Sequence, residues 1–139
     1  MPVLSLQAIE SLCRESLLAV GASEEQAAIV AAEIAEAEAE GIRNVGLGYI
    51  HLYLKHLKVG KVKPNAQPTV VKTSAASTVV DADFGFCHHA YIVGEQRLIE
   101  TAREQGVAML AIHQSSSAGV LGWFVRRLAQ QGLVSLMFA

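Results

Sequence analysis

The sequence predicts an α/β fold, bordering on α+β, in which an N-terminal helical layer is followed by alternating strands and helices. Apolar residues recur at three- and four-residue spacing through the first 60 residues, as on one face of a helix. Pro64 and Pro68 then end the helical pattern. After them, short β-branched runs alternate with helical patterns, as expected when helices cover a sheet. We therefore predict a helical region at residues 1–68 and the start of an α/β domain at residues 69–139.

The apolar spacing in the first region predicts three helices, each followed by a glycine that can adopt the left-handed conformation. Their predicted ranges are Ser5–Val20, Ser23–Glu40 and Leu47–Lys58, followed by Gly21, Gly41 and Gly60. Ser23 begins a capping box, in which its hydroxyl and the side-chain amide of Gln26 would bond each other's backbone N–H groups. Acidic residues crowd the end of the second helix, from Glu33 to Glu40, and we interpret them as a solvated face rather than a cation site.

The second region predicts three strands and two helices. The strands are expected at Thr69–Lys72, Ser77–Val80 and Val107–Ile112, and the helices at His89–Glu104 and Gly119–Gln131. The first two strands would form a hairpin or lie side by side, and the continuous apolar run of the third is typical of a strand covered on both faces. A last apolar stretch, Leu133–Phe138, predicts a further buried strand. Because such a strand needs a pairing partner, we expect the chain to be truncated.

Composition excludes several classes of function. The net charge of −2 gives no electrostatic footprint for nucleic acid or an anionic membrane surface. No apolar run approaches the roughly 20 residues that cross a bilayer, and no secretory signal pattern is present, so we expect a cytoplasmic chain. Cys13 and Cys87 fit neither a disulfide framework nor a zinc site and are predicted to be reduced, partly buried thiols.

Few residues form a pattern that carries chemistry. Cys87 is followed by two histidines, His88 and His89, which we expect to be exposed at a helix start and not to bind a metal. The segment from Ser115 to Gly119 lies between a predicted strand and a helix. Its backbone N–H groups could bind a phosphate or carboxylate, or the segment could simply cap the helix through Ser117.

The ordered set of motifs resembles the N-terminal part of the malate/L-lactate dehydrogenase family, which is unrelated to the Rossmann-fold dehydrogenases. This family includes ureidoglycolate dehydrogenase and the diketogulonate and ketimine reductases. The matching segments, in order, are EAEAEGIRNVG, LKVGKVKPNAQPTVV, VVDADFGF, EQGVAMLAIHQSS, SAGVLGWF and QGLVSLMFA. The resemblance implies a non-Rossmann dehydrogenase fold, here truncated, with residues 69–139 as the start of its cofactor domain.

The family resemblance also implies NAD or NADP as cofactor, a small 2-hydroxy or 2-oxo acid as substrate, and a homodimer. The positions that would carry catalysis are substituted: Val45 stands where the family has its acid–base histidine, and Tyr49 where an arginine would bind the substrate carboxylate. Ser117 replaces a second family histidine, whereas Ser115 and Gly119 match the family. We therefore assign Ser115, Ser117 and Gly119 as candidate cofactor-binding residues and predict that the catalytic positions are inactive.

Two other interpretations remain open. The chain could be a non-catalytic association module that pairs through the family's apolar dimer surface. It could also be an enzyme with a relocated acid–base group, in which His113 or Tyr49 takes that role.

Overall fold

A computed structural model describes residues 3–139 of the chain. Contacts within the chain divide it into two compact units, Met1–Asn65 and Ala66–Ala139. The described elements of the first unit are the helices α1 (Leu6–Ala19), α2 (Glu24–Ala39) and α3 (Ile50–Lys58), with a 3-10 turn at Leu47–Tyr49. Those of the second unit are β1 (Thr69–Thr73), β2 (Ser77–Asp81), α4 (Cys87–Gln105), β3 (Met109–His113) and α5 (Leu121–Gln130). The predicted α/β class is confirmed.

In the first unit, α1 packs along α2. The apolar stripe of α1 buries Cys13 and Leu17, and α2 buries Val30 and Ile34. Ser5 starts α1 by accepting a hydrogen bond at 3.1 Å from the backbone N–H three residues on, because the first N–H groups of a helix have no partner within it. The predicted helix positions are therefore confirmed.

The start of α2 departs from the predicted capping box. Ser23 does accept the backbone N–H of Gln26, at 3.3 Å, but the Gln26 side chain does not return that bond. Its amide instead donates to the carbonyls of Lys63 and Pro64, at 3.0 and 2.8 Å, and the Ser23 N–H also donates to Pro64. Gln26 is fully buried and fixes the connection that follows α3.

The solvated acidic face predicted on α2 is only partly correct. Glu36 and Glu40 are exposed, whereas Glu33 is fully buried. Glu38 is half-buried, and its carboxylate bonds the loop that follows α2. A run of glutamates separated by alanines places these side chains on different faces of the helix, because neighbouring residues are 100° apart.

The second unit is a three-stranded sheet in the order β1-β2-β3. β1 and β2 form an antiparallel hairpin, with a register shift between Val70 and Lys72, and β3 lies parallel to β2. Helix α4 makes the crossover between the parallel strands and packs on them. Gly94 permits this contact, because a Cβ there would lie 2.6 Å from the Leu110 side chain and 3.1 Å from that of Val80. The core of this packing contains Val80, Ala82 and Ala90, with Leu110 and Ile112 against it.

Two sequence predictions fail in this unit. β3 is not covered on both faces, since Met109 and His113 are exposed and the residues between them are half-buried. The segment 133–138 forms neither a helix nor a strand ladder in the described part of the chain. Its side chains alternate, with Val134, Leu136 and Phe138 almost fully exposed, so the predicted buried strand is wrong.

Candidate functional site

Two loops of the second unit meet at the carboxyl ends of β2 and β3. Because these strands are parallel, the β2–α4 loop (residues 82–86) and the serine loop (residues 114–120) leave the sheet at the same edge. They are joined by a β-bridge between Phe86 and Ser116. The Ser116 N–H donates to the Gly85 carbonyl at 2.9 Å, and the Cys87 N–H donates to the Ser116 carbonyl at 3.1 Å. Ligands of α/β sheets commonly bind at this edge.

The serine loop has an unusual backbone. Gln114 and Ser117 both have φ of 51°, and Gly119 has φ of 61°, so three of its residues lie in the left-handed region. Such a conformation is sterically unfavourable for residues other than glycine and is often found at functional sites. The predicted cap at Ser117 is wrong, because the N-cap of α5 is Val120, whose side chain makes no cap hydrogen bond.

The backbone of the serine loop could hold an anion. The N–H groups of Ser117, Ala118 and Gly119 donate to no other group within residues 3–139, and they immediately precede α5. Free N–H groups at a helix start bind phosphate or carboxylate well. These groups are the candidate contacts for an anion on this loop.

Within this loop, Ser115 is exposed and its side chain interacts with the Cys87 thiol. The thiol is buried, and burial raises the pKa of Cys87 to about 11. Cys87 is therefore a neutral thiol at physiological pH, which excludes it as an activated nucleophile.

The structure corrects the prediction that His88 and His89 are exposed, since His89 is half-buried and His88 is more deeply placed. His88 is fully buried and stacks on Phe124, with ring centroids 5.4 Å apart and planes at 28°. The Trp123 ring meets it edge-on at 5.7 Å. Burial lowers the pKa of His88 to about 4, so the imidazole is neutral at pH 7. His88 belongs to an aromatic cluster of the core.

The first unit carries the other predicted positions, on the loop between α2 and α3. Val45 is half-buried, and Tyr49 is half-buried with its ring edge-on to Tyr53 at a centroid distance of 5.1 Å. This loop is held from α2, since the Glu38 carboxylate accepts the Leu47 N–H at 2.7 Å. Gly46 leaves room for this carboxylate, because a Cβ there would lie 2.9 Å from the Glu38 carboxyl carbon and would force the Glu38 side chain to move.

Comparison with known proteins identifies the chain's family. The family model described as malate/L-lactate dehydrogenase matches residues 4–139. The chain belongs to the malate/L-lactate dehydrogenase family. It is 36% identical over 99% of its length to the (2R)-3-sulfolactate dehydrogenase (NADP(+)) of Chromohalobacter salexigens, of which it covers 41%. It is 34% identical over 97% of its length to the Delta(1)-pyrroline-2-carboxylate reductase of Ancylobacter novellus, of which it covers 40%.

Solved structures agree with this membership. The crystal structure of delta1-piperideine-2-carboxylate reductase from Pseudomonas syringae pvar. tomato matches 95% of the chain with a TM-score of 0.91 at 34% identity. The malate dehydrogenase from Entamoeba histolytica matches 94% with a TM-score of 0.87 at 27% identity. The chain covers 40% and 37% of these proteins, so this member of the malate/L-lactate dehydrogenase family spans about two fifths of the length of its relatives.

The structure brings together only part of the predicted site. Ser115, Ser117 and Gly119 lie on one loop, whereas Val45 and Tyr49 lie on a loop of the other unit. His113, one alternative acid–base residue, is exposed at the end of β3. Within residues 3–139 no group of three or more metal-ligating side chains occurs, and no helix is long and apolar enough to cross a membrane.

Sequence reasoning missed two carboxylates beside these loops. Asp81, the last residue of β2, bonds residues of both loops at the sheet edge, and Glu38 bonds the loop that carries Val45. The available signal was position: Asp81 ends a β-branched run, and Glu38 lies just before the helix stop. Neither signal identifies a bonding partner, because Asp83, Gln114 and Leu47 lie in connections whose conformation the sequence pattern does not predict.

Proposed function

We propose that this chain belongs, by reaction class, to the NAD(P)-dependent oxidoreductases that interconvert 2-hydroxy or 2-amino acids with their 2-oxo or 2-imino forms. We further propose that these 139 residues do not catalyse the reaction by themselves. The observation that carries the second part is the presence of Val45, Tyr49 and Ser117 at the positions where the family resemblance implies catalytic residues.

Hydride transfer to a carbonyl or imine carbon needs a group that delivers a proton to the neighbouring oxygen or nitrogen. The isopropyl group of Val45 carries no proton for this step. The Ser117 hydroxyl has no proton affinity near neutral pH, unlike the imidazole that the family resemblance implies there. Tyr49 offers a phenol packed edge-on against Tyr53, and a phenol cannot make the bidentate charged contact of a guanidinium with a carboxylate.

The proposed cofactor is NAD or NADP, whose bound nicotinamide would supply or accept the hydride. The names of two relatives include the cofactor: a sulfolactate dehydrogenase (NADP(+)) and a ureidoglycolate dehydrogenase (NAD(+)). The candidate contacts in this chain are the backbone N–H groups of Ser117, Ala118 and Gly119. Because these are neutral donors on one loop, we expect binding to be weaker than micromolar.

A cytoplasmic location is part of the proposal, because both cysteines are free thiols, as expected in a reducing compartment.

The first test is an assay of the purified chain at 340 nm. NADH and NADPH would each be mixed with pyruvate, oxaloacetate and Delta(1)-pyrroline-2-carboxylate, and NAD and NADP with malate, lactate and sulfolactate. We expect no turnover above the protein-free blank. Turnover at a rate comparable to that of the P. syringae reductase, assayed in parallel, would contradict the proposal.

A second test separates the effect of the substitutions on activity from the effect of the chain's shorter length. Valine, tyrosine and serine would be placed in the C. salexigens sulfolactate dehydrogenase at the positions aligned with Val45, Tyr49 and Ser117. We expect each change at a general acid–base position to lower kcat by about 10²–10⁴-fold. A control that exchanges an exposed residue of this chain's α1, such as Glu10, into the relative should leave kcat unchanged.

An association role is the second candidate, and the exposed apolar face of residues 133–138 favours it. Val134 is fully exposed, and the exposed fractions of Leu136 and Phe138 are 84% and 88%. Strand β3 is an edge strand of the described sheet. Exposed apolar side chains beside an open strand edge favour pairing with a second chain, as in the homodimer that we propose. Light scattering during size-exclusion chromatography should detect a dimer, and a monodisperse monomer at tens of micromolar would refute this role.

A further inference from the structure

The β2–α4 loop and the serine loop share one carboxylate. Asp81 Oδ1 accepts the backbone N–H of Asp83 at 2.8 Å, and Asp81 Oδ2 accepts the side-chain amide of Gln114 at 2.7 Å. Asp83 belongs to the first loop and Gln114 to the second. A single side chain at the end of β2 thus bonds both loops at the sheet edge.

Both partners of Asp81 have a strained backbone. Asp83 and Gln114 each have φ of 51°, in the region that side chains other than glycine rarely adopt. Such conformations persist only when the surroundings enforce them, and hydrogen bonds to a carboxylate are stronger than those between neutral groups. In each of the two loops, Asp81 therefore bonds the first residue that has a positive φ.

The restraint extends along both loops. One residue beyond Asp81, the Ala82 N–H donates to the His113 carbonyl at 3.0 Å, which continues the parallel ladder. The Phe86–Ser116 bridge closes the other end. Gln114 and its bond to Asp81 lie between these two connections, at the point where the chain leaves β3 and enters the serine loop.

We propose that Asp81 is the positioning residue of the serine loop. It holds Gln114 in the left-handed conformation and thereby presents the N–H groups of Ser117, Ala118 and Gly119 in a fixed arrangement. The assignment of this loop to cofactor phosphates rests on the proposed function, but the positioning itself does not, so the two can fail separately.

The test uses amide hydrogen exchange by NMR on the whole chain. The reporters are the amides of Ser116 and Cys87, which form the hydrogen bonds between the two loops, and the Val80 amide in β2 serves as the internal reference. Asp81→Ala should increase the exchange rates of the reporters by about tenfold or more relative to Val80, the factor expected when a hydrogen bond to a charged group is lost.

Two variants show whether the contact, rather than the fold, is responsible. Asp81→Asn keeps an oxygen for Asp83 and an amide that can pair with Gln114, so it should restore protection to within about threefold of the parent. Gln114→Ala alters an exposed residue and should reproduce most of the Asp81→Ala effect even if Asp81→Ala does not fold. The double variant should be no worse than Asp81→Ala alone, because Asp81→Ala has already removed the contact that Gln114→Ala removes.

Asp83→Asn is the matched control. It changes a neighbouring carboxylate whose Oδ2 accepts the Gln67 N–H, but it leaves the bonds of Asp81 in place and should not alter the reporters. The proposal is overturned if Asp81→Ala leaves the exchange ratio within about twofold of the parent, or if the effects of Asp81→Ala and Gln114→Ala multiply in the double variant.

Discussion

Acidification should destabilise this protein through His88. The imidazole is fully buried between aromatic rings, and its pKa falls from 6.5 to about 4 in the folded chain. The unfolded chain therefore binds a proton at a pH where the folded chain does not. The stability that depends on neutral His88 is complete above pH 6.5 and is lost as the pH falls from 6.5 towards 4.

The size of the effect follows from the two pKa values. Linkage predicts a loss of about 2 kcal/mol in the free energy of unfolding between pH 7.5 and 5, and about 3 kcal/mol when the pH falls below 4. Native domains are stable by only about 5–15 kcal/mol, so this loss is large enough to measure.

Urea unfolding followed by circular dichroism at several pH values would test this prediction. His88→Phe keeps a ring for stacking on Phe124 but cannot titrate, so the difference between parent and variant isolates the histidine from the carboxylates that also titrate. His51→Gln changes an exposed histidine and should preserve the pH dependence of the parent. If the difference between the parent and His88→Phe is constant from pH 7.5 to 5, the buried, neutral histidine is not the cause.

Three other substitutions and one reagent test the packing and the cap of α1. Gly94→Ala should lower the free energy of unfolding by about 1–3 kcal/mol, because the new methyl group meets the sheet, whereas Gly122→Ala in α5 has room and should raise it by about 0.5–1 kcal/mol; urea titrations would measure both. Cys13 and Cys87 are buried, and burial raises the pKa of each thiol to about 11, so a maleimide should label neither at pH 7.5 until the chain is unfolded, as mass spectrometry would report. Ser5→Ala removes the cap of α1 and should cost about 1 kcal/mol in thermal or urea unfolding.

The sequence predicted the elements whose signal is local. Helix faces and the glycine stops at Gly21, Gly41 and Gly60 depend on spacing within a few residues, and the structure confirms them. The hairpin of β1 and β2 was equally local. By contrast, the segment 133–138 has the composition of a strand, but strand formation requires a neighbour in register, and composition contains no information on that neighbour.

The site was predictable only as a set of positions along the chain. The sequence identified the serine loop, because polar residues there separate an apolar run from a helix pattern. It could not identify the conformation of that loop, which depends on Asp81 reaching across from a strand 33 residues earlier. The burial of His88 has the same origin, since the ring is covered by Phe124 and Trp123 from α5, a distant element.

The aromatic cluster around His88 also makes the molecule its own optical probe. Trp123 is the single tryptophan of the chain, and its ring lies edge-on to the imidazole at 5.7 Å. Because protonation of His88 would place a cation against the indole ring, we expect the fluorescence of Trp123 to change when the imidazole gains its charge. The emission of the unlabelled protein therefore reports the charge of one buried histidine.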